Sequence, residues 1–250
     1  MARFDMSDAE WSVIQPLLPT KVRGVARRVI NGIVWRWRTG APWADIPERY
    51  GSHKTCYNRF VRWRAAGVWD RILKAVSAAY DGDIQMIDSS SIRVHQHGAN
   101  GDKGGSGCMG RSRGGLTSKI HAVVDACGLP IGLGLSEGQA YDGHQAFPLL
   151  SQLPAKAIVL ADRAYDADAI RDLIAGQGAF PNIPPMPHRR RRPAFSKYLY
   201  KMRNLVERFF NKLKNFRAIA TRYEKDPRNY MAGVKLASAR IWIRFNESAA

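Results

Sequence analysis

Lys156-Ala157-Ile158-Val159-Leu160-Ala161-Asp162 is an unbroken apolar run that ends on a carboxylate. So short a run, with no polar residue alternating through it, is the pattern of a strand covered on both faces. Upstream, Ile84-Gln85-Met86-Ile87-Asp88 alternates apolar and polar residues and also ends on Asp, after which Ile92-Arg93-Val94 continues the extended chain. Leu116 to Ala126 and Leu129 to Leu135 read as two further strands, joined at Asp125-Ala126-Cys127-Gly128 with Gly where the turn calls for a positive φ. A helical stretch follows around His144 to Leu153, a second helix runs from Asp168 to Ala175, and Phe180 to Met186 is extended and proline-rich. Hairpin strands, then a helix, then a buried central strand and more helices, describe an α/β layout: a mixed sheet flanked by helices.

The first third has a different period. Ser7-Asp8-Ala9-Glu10 has the form of a capping box and precedes Trp11, Ile14 and Leu18 at helical spacing, with Pro19 closing the helix. A second helix is expected from about Arg27 to Arg38, capped by Gly40. Ser52 caps a third, which carries Cys56, Phe60 and Trp63 on one side and Lys54, Arg59, Arg62 and Arg64 on the others. Trp69, Ile72, Leu73, Val76 and Tyr80 make a fourth. The chain thus divides into a helical domain, residues 1–80, and an α/β domain, residues 81–250. Short helices with tight turns and a basic third member are what a helix-turn-helix needs, and residues 52–67 are the candidate recognition helix. The alternative is a bundle whose arginine-rich faces are merely solvated.

Charge narrows the partners. Lys plus Arg number 39 against 21 Asp plus Glu, a formal net charge of +18, which points to nucleic acid. Ribosomal and chromatin-packing proteins share that balance but rarely carry seven Trp and long amphipathic helices. Cys56, Cys108 and Cys127 are odd in number and widely spaced, so free thiols in a reducing compartment are expected. The N-terminus lacks an apolar signal core and no run of about 18 apolar residues occurs, so a cytoplasmic, nucleoid-associated protein with no membrane partner is expected.

Two segments suit either a phosphate-backbone contact or plain solvation: the glycine-rich residues 98–115 with Lys103, Arg111 and Arg113, and the run Arg189 to Arg192 that includes Arg190. The glycine-rich segment has no G-K-S/T at the spacing a Walker A motif requires, so nucleotide hydrolysis lacks support.

Tyr200, Arg203, Glu207 and Lys214 form the set Y-x2-R-x3-E-x6-K. At roughly 100° per residue, all four fall within about 60° of one another on one helix. Met202, Leu205, Val206, Phe209, Leu213 and Phe216 fill the adjoining apolar arc, so the polar stripe runs along the rim of a buried surface. A carboxylate there, with a guanidinium, a phenol and an ammonium beside it, suits metal and phosphate chemistry; the alternative is a row of surface charges with an ordinary Arg203–Glu207 pair. If Asp88 and Asp162, each at a strand end, converge with Glu207, their hard oxygens outline a site for two Mg²⁺ or Mn²⁺ ions about 3.5 to 4 Å apart.

Three segments resemble the DDE transposases of bacterial insertion sequences, whose catalytic core is ribonuclease H-like. They are IDSSSIRVHQHGANGDKGGSG with MGRSRGGLTSKIHAVVDACGLP, then LADRAYDADAIRDLI with its D-x-x-Y core Asp162 to Tyr165, then YKMRNLVERFFNKLK with the Y-R-E-K signature. The likeness runs from the Trp11 helix to Tyr223. It implies that Asp88, Asp162 and Glu207 are the metal-binding triad and that Tyr200, Arg203 and Lys214 assist on DNA phosphates. It also implies an N-terminal domain that recognises terminal inverted repeats in double-stranded DNA, strand transfer into target DNA, and at least a homodimer at synapsis. The stretch Arg23 to Arg28 is a few residues shorter than the resemblance leads one to expect. Rival readings are a non-catalytic DNA-binding or regulatory derivative, and a ribonuclease H-like nuclease that cuts without joining.

Overall fold

The computed structural model describes residues 3–19, 23–80, 82–99, 107–151 and 157–249. Lys103, assigned above to a basic loop, lies outside the described residues, as does Lys156. The helices and strands run, in chain order, α1 (Asp8–Ile14), α2 (Arg23–Thr39), α3 (His53–Ala65), α4 (Val68–Val76), β1 (Ile84–Val94), β2 (Gly110–Ser112), β3 (Gly115–Val124), β4 (Pro130–Glu137), α5 (Gly143–Leu150), β5 (Ile158–Leu160), α6 (Asp168–Gly176), β6 (Phe180–Asn182), α7 (Lys197–Tyr200), α8 (Asn204–Lys214), α9 (Arg217–Ala220) and α10 (Pro227–Ala249). Among the described residues no helix is long and apolar enough to cross a membrane.

Two compact units emerge; one boundary falls between Ala78 and Ala79, beside the expected residue 80, and two later segments return to the first unit. The first comprises Met1–Ala78, Val94–Asp102 and Lys212–Ala250; the second comprises Ala79–Arg93 and Lys103–Asn211. The C-terminal helix belongs with the N-terminal ones because its apolar side is needed there.

In the first unit α10 packs against α1, α2, α3, α4 and α9. Its Arg240 lies against a fully buried carboxylate, Glu10, which accepts from Arg240 Nε at 2.7 Å and from Arg244 Nε at 2.8 Å. Glu10 also closes the expected capping box with the Ser7 N–H at 2.9 Å. Burial alone would raise the Glu10 carboxyl, but the Arg240 bonds and charge outweigh it and hold the group below its usual range. At the other end of α10, Gly233 faces the buried Trp37 ring so closely that a Cβ would sit 2.2 Å from ring carbons. Helix α2 begins at Arg23 rather than near Arg27, one turn earlier than its periodicity predicts.

In the second unit β1 pairs antiparallel with β3, and β3 carries β4 and β2 on its far flank; on its other side β1 runs parallel to β5, and β5 to β6. The order β4-β3-β1-β5-β6 is a ribonuclease H-like mixed sheet, as the sequence leads one to expect. Ile87, Val123 and Val159 join Leu150, Ile170 and Ile174 of α5 and α6 in one core. The β3–β4 turn is fixed by Asp125 Oδ1, which accepts from the Cys127 and Leu129 N–H groups, and by Gly128 at φ +74°.

Two elements depart from expectation. Strand β1 runs unbroken to Val94, so Asp88 lies in mid-strand rather than at a strand end. The register explains this: Asp88 pairs with Ala122 and the ladder continues to Arg93 opposite Thr117. The single helix expected over Tyr200–Lys214 is interrupted by a tight 3₁₀ turn at Lys201–Arg203, leaving α7 and α8 on either side.

Gly233→Ala should gain about 1 kcal/mol of helix propensity yet lose about 1–3 kcal/mol to overpacking on Trp37, for a net fall in urea midpoint with altered Trp emission. Asp226, which precedes α10, accepts from the Arg228 N–H at 2.8 Å and from Arg64 at 2.7 Å. Burial opposes ionisation, but these bonds and the Arg228 guanidinium pull its carboxyl down to about 2 from 3.8. The folded value lies below the unfolded one, so this stabilisation is complete above pH 3.8 and is lost as pH falls through about 2. Asp226→Asn should therefore cost about 2 kcal/mol at pH 7 and flatten the unfolding free energy between those two pH values.

Candidate active site

The site starts from register. Ile84, Gln85 and Met86 of β1 lie beside Ile158, Val159 and Leu160 of β5. Two residues further along the same direction come Asp88, still on β1, and Asp162, just past the end of β5, so parallel pairing of the strands brings the two carboxylates near each other. Alternation does the rest on β1: Ile87 enters the core under α5 and α6, which turns Asp88 to the opposite face. Asp162 follows β5 and caps the 3₁₀ turn Arg163–Tyr165, its Oδ1 accepting from the Ala164 N–H at 2.8 Å.

Arg203 ties this pair to the Y-R-E-K segment. Its Nη1 donates to Asp88 Oδ2 at 2.6 Å and its Nη2 to Glu207 Oε1 at 2.8 Å. The 3₁₀ turn keeps the i,i+4 spacing between Arg203 and Glu207, and Arg203 also lies over the Tyr200 ring, 5.7 Å from its centroid. Lys214 closes α8 in its last turn. Asp88 and Arg203 are both largely withdrawn from solvent, whereas the Glu207 side chain is 56% exposed. Burial, and the charge of Asp162, push the Asp88 carboxyl above its usual range despite the Ser89 N–H at 2.8 Å and the Arg203 guanidinium.

A fourth carboxylate, absent from the sequence reading, joins the neighbourhood. Asp142, at the head of α5, accepts from Lys119 Nζ at 2.7 Å and from the hydroxyl of Ser89, the residue next to Asp88, at 3.0 Å. Tyr165, the last residue of the D-x-x-Y core, is fully buried, and its hydroxyl has no hydrogen-bond partner among the described residues. Burial raises that hydroxyl, and the charges of Asp142, Asp88 and Asp162 raise it further. Lys119 and Tyr165 are legible as strand and turn residues, but nothing in spacing marks Asp142 beyond a Tyr141-Asp142-Gly143 helix start.

The donor chemistry fits a hard divalent cation at Asp88 and Asp162: oxygen ligands, mutual repulsion between two carboxylates, and an unpartnered buried hydroxyl nearby. Glu207 turns toward Arg203, and among the described residues no three His, Cys, Asp or Glu side chains are grouped at metal-holding distances.

The expected basic contacts fall into two groups. Lys54, Arg62, Arg111, Arg113 and Arg190 are exposed. Arg59 is half-buried over the Trp63 ring, Arg64 is bound to Asp226 and Asn229, and Arg189 is bound to Asp166 and Asp168. Cys56, Cys108 and Cys127 are free thiols.

These features define a mixed α/β unit with one carboxylate on β1, a second just past the adjacent parallel strand β5, and an arginine bound to the first. Residues 79–242 match the family model described as the transposase DDE domain, and residues 6–73 match a model for candidate transposases of the IS4/5 family. The chain belongs to the DDE-domain transposases of bacterial insertion sequences, and is thereby an enzyme of DNA transposition. A protein of Brucella ovis, named as the candidate transposase of insertion sequence element IS6501, is 46% identical over 130 residues, covering 52% of this chain and all of that protein. The candidate transposase of insertion sequence element IS402 from Burkholderia cepacia is 31% identical over 135 residues, covering 50% of this chain and 62% of that one. Among solved structures, a piggyBac transposase synaptic complex with hairpin DNA is 11% identical at a TM-score of 0.48, covering 98% of this chain and 67% of that one. A Mos1 transposase paired-end complex is 14% identical at a TM-score of 0.29, covering 88% and 78% respectively. Likenesses of that size bear no weight on the site.

Because the fold disfavours the ionised form of Asp88, Asp88→Asn should leave Tm unchanged or raise it by a few degrees in calorimetry at pH 7. A large fall in Tm would show that the charge is instead structurally required.

Proposed function

We propose that this transposase binds the terminal inverted repeats of its insertion sequence, cuts the strand there to free a 3′-hydroxyl, and joins that hydroxyl to target DNA. In this reading Asp88, Asp162 and Glu207 hold two Mg²⁺ or Mn²⁺ ions. Bound there, the ions supply Lewis acidity for the attacking oxygen and for the departing one. The observation that supports it most is the nearness of Asp88 on β1 to Asp162, just past the parallel strand β5, with the Arg203 guanidinium bound to Asp88 and Glu207.

Arg203 has a second part to play. In the structure it serves as counter-ion to Asp88 and Glu207; when a phosphodiester arrives, side-chain rotation swings the planar guanidinium fork to the phosphate oxygens and releases Glu207 toward the other carboxylates. Tyr200 steadies the guanidinium by stacking, and Lys214 at the end of α8 meets the backbone further along. Lys119 and Ser89 fix Asp142, which keeps the floor beside Asp88 polar and rigid. Duplex contacts are assigned to the exposed Lys54, Arg62, Arg111, Arg113 and Arg190, while Arg64 and Arg189 serve the fold through their ion pairs. At least two copies of the chain meet at synapsis.

The test is a labelled duplex carrying the element's own terminal repeat, incubated with Mg²⁺ and assayed for both cut and joined products. Glu207→Gln and Asp162→Asn should each lower both products by at least about a hundredfold, and Lys214→Gln by less. If Glu207→Gln joined DNA as well as the parent, the assignment would fail. Cutting without joining would identify a nuclease, and tight binding with neither product a regulatory DNA-binding protein.

A further inference from the structure

The first unit contains a cavity of about 410 Å³, well away in sequence from Asp88 and Asp162. Five cations line it: Arg3, Arg38, Lys212, Arg240 and Arg244. Three phenyl rings, those of Phe4, Phe216 and Phe245, separate them, and no carboxylate is among the lining residues. Glu10 neutralises part of this charge from behind, through Arg240 and Arg244. Among the described residues, Arg3, Arg38 and Lys212 have no ion-pair partner.

Arg38 is the most telling of them. Its guanidinium lies over the Phe216 ring, 5.0 Å from the centroid, and 6.0 Å from that of Phe4, which Arg3 also faces at 5.4 Å. Burial weakens its hold on the proton, and the charges of Arg244, Arg240 and Arg3 weaken it further. A fold that gathers like charges around a half-enclosed space, and stiffens one of them between rings, opposes its own stability unless an anion enters.

The lining says which anion. Inorganic phosphate would use the cations and leave the exposed Phe245 ring idle. An acyl chain would use the rings and meet cations along its length. A nucleotide carries both a phosphate and a flat π-face, and the cavity lies within the size range of small-ligand sites.

We propose that this cavity receives one unstacked nucleotide of a DNA strand, with its phosphate on Arg3, Arg38 and Lys212 and its base against Phe245. The inference rests on the chain's handling of DNA and is independent of the carboxylate assignment. The cavity gives the enzyme a grip on single-stranded or frayed DNA that a simple basic surface lacks.

Fluorescence anisotropy on the full chain tests it, with a labelled single strand of about eight nucleotides and the matching duplex. Phe245 is 36% exposed, so Phe245→Ala removes little core, and circular dichroism with thermal melting verifies the fold; Phe245→Leu keeps apolar bulk without the flat ring. Both variants should weaken single-strand binding about tenfold and leave duplex binding within about twofold. Arg38→Gln should weaken it too and reduce the salt slope by about 1. A deoxynucleoside monophosphate should compete better than inorganic phosphate, and an oligonucleotide better than either. Equal loss on duplex and single strand, or no loss with Phe245→Ala, would reduce the cavity to a basic surface; phosphatidylserine vesicles bound in preference to oligonucleotides would reassign it to lipid. Glu207→Gln should bind the single strand as the parent does, so lost cutting with intact strand binding counts against the catalytic reading alone, and intact cutting with ring-insensitive binding counts against this one alone.

Discussion

One guanidinium, that of Arg203, links β1 to α8 in the second unit. Parallel pairing of β1 with β5 brings Asp88 close to Asp162, and burial together with the Asp162 charge disfavours the ionised form of Asp88. Arg203 supplies the compensation and, by donating at the same time to Glu207, ties the helical segment to the central strand at one point. The fold could have avoided the problem by placing an amide at position 88. It keeps a carboxylate there, held above its usual range by burial, and perturbed carboxylates of this kind cluster at functional sites.

The first unit is organised around the opposite sign. Glu10 is a lone buried acid beneath a crowd of arginines, and it performs two tasks with two oxygens: it caps α1 and it anchors α10 through Arg240. Removing a partner from such a pair would leave a desolvated charge behind, which is why a buried ion pair constrains a fold more firmly than its net energy implies. The same guanidiniums that Glu10 holds from below form part of the cationic wall above, so structure and ligand recognition draw on shared side chains.

Much of this was legible in the chain. The Ser7–Glu10 box, the Asp125–Gly128 turn and the buried Ile158–Leu160 strand all rest on local rules, and local rules survive folding. The aspartates of the site were legible as residues but Asp88 was misplaced along its strand, because alternation cannot say where pairing with β3 stops. The 3₁₀ turn at Lys201–Arg203 was hidden, since helix and 3₁₀ share nearly the same apolar spacing over one turn. Asp142 was invisible for a different reason: it acts through Lys119 and Ser89, 23 and 53 positions away, and such contacts exist only in three dimensions. Periodicity could not tell that Arg64 and Arg189 would be claimed by aspartates either, as a basic side chain reads alike whether it faces water or an acid.

The bundle that α10 completes is stitched from chain segments on either side of most of the sheet unit's residues. During synthesis, α1 to α4 leave the ribosome before the helix that covers them, and their apolar sides wait, shielded only by one another, while the sheet unit is made. The basic bundle is therefore assembled only after the residues of the sheet unit have been made.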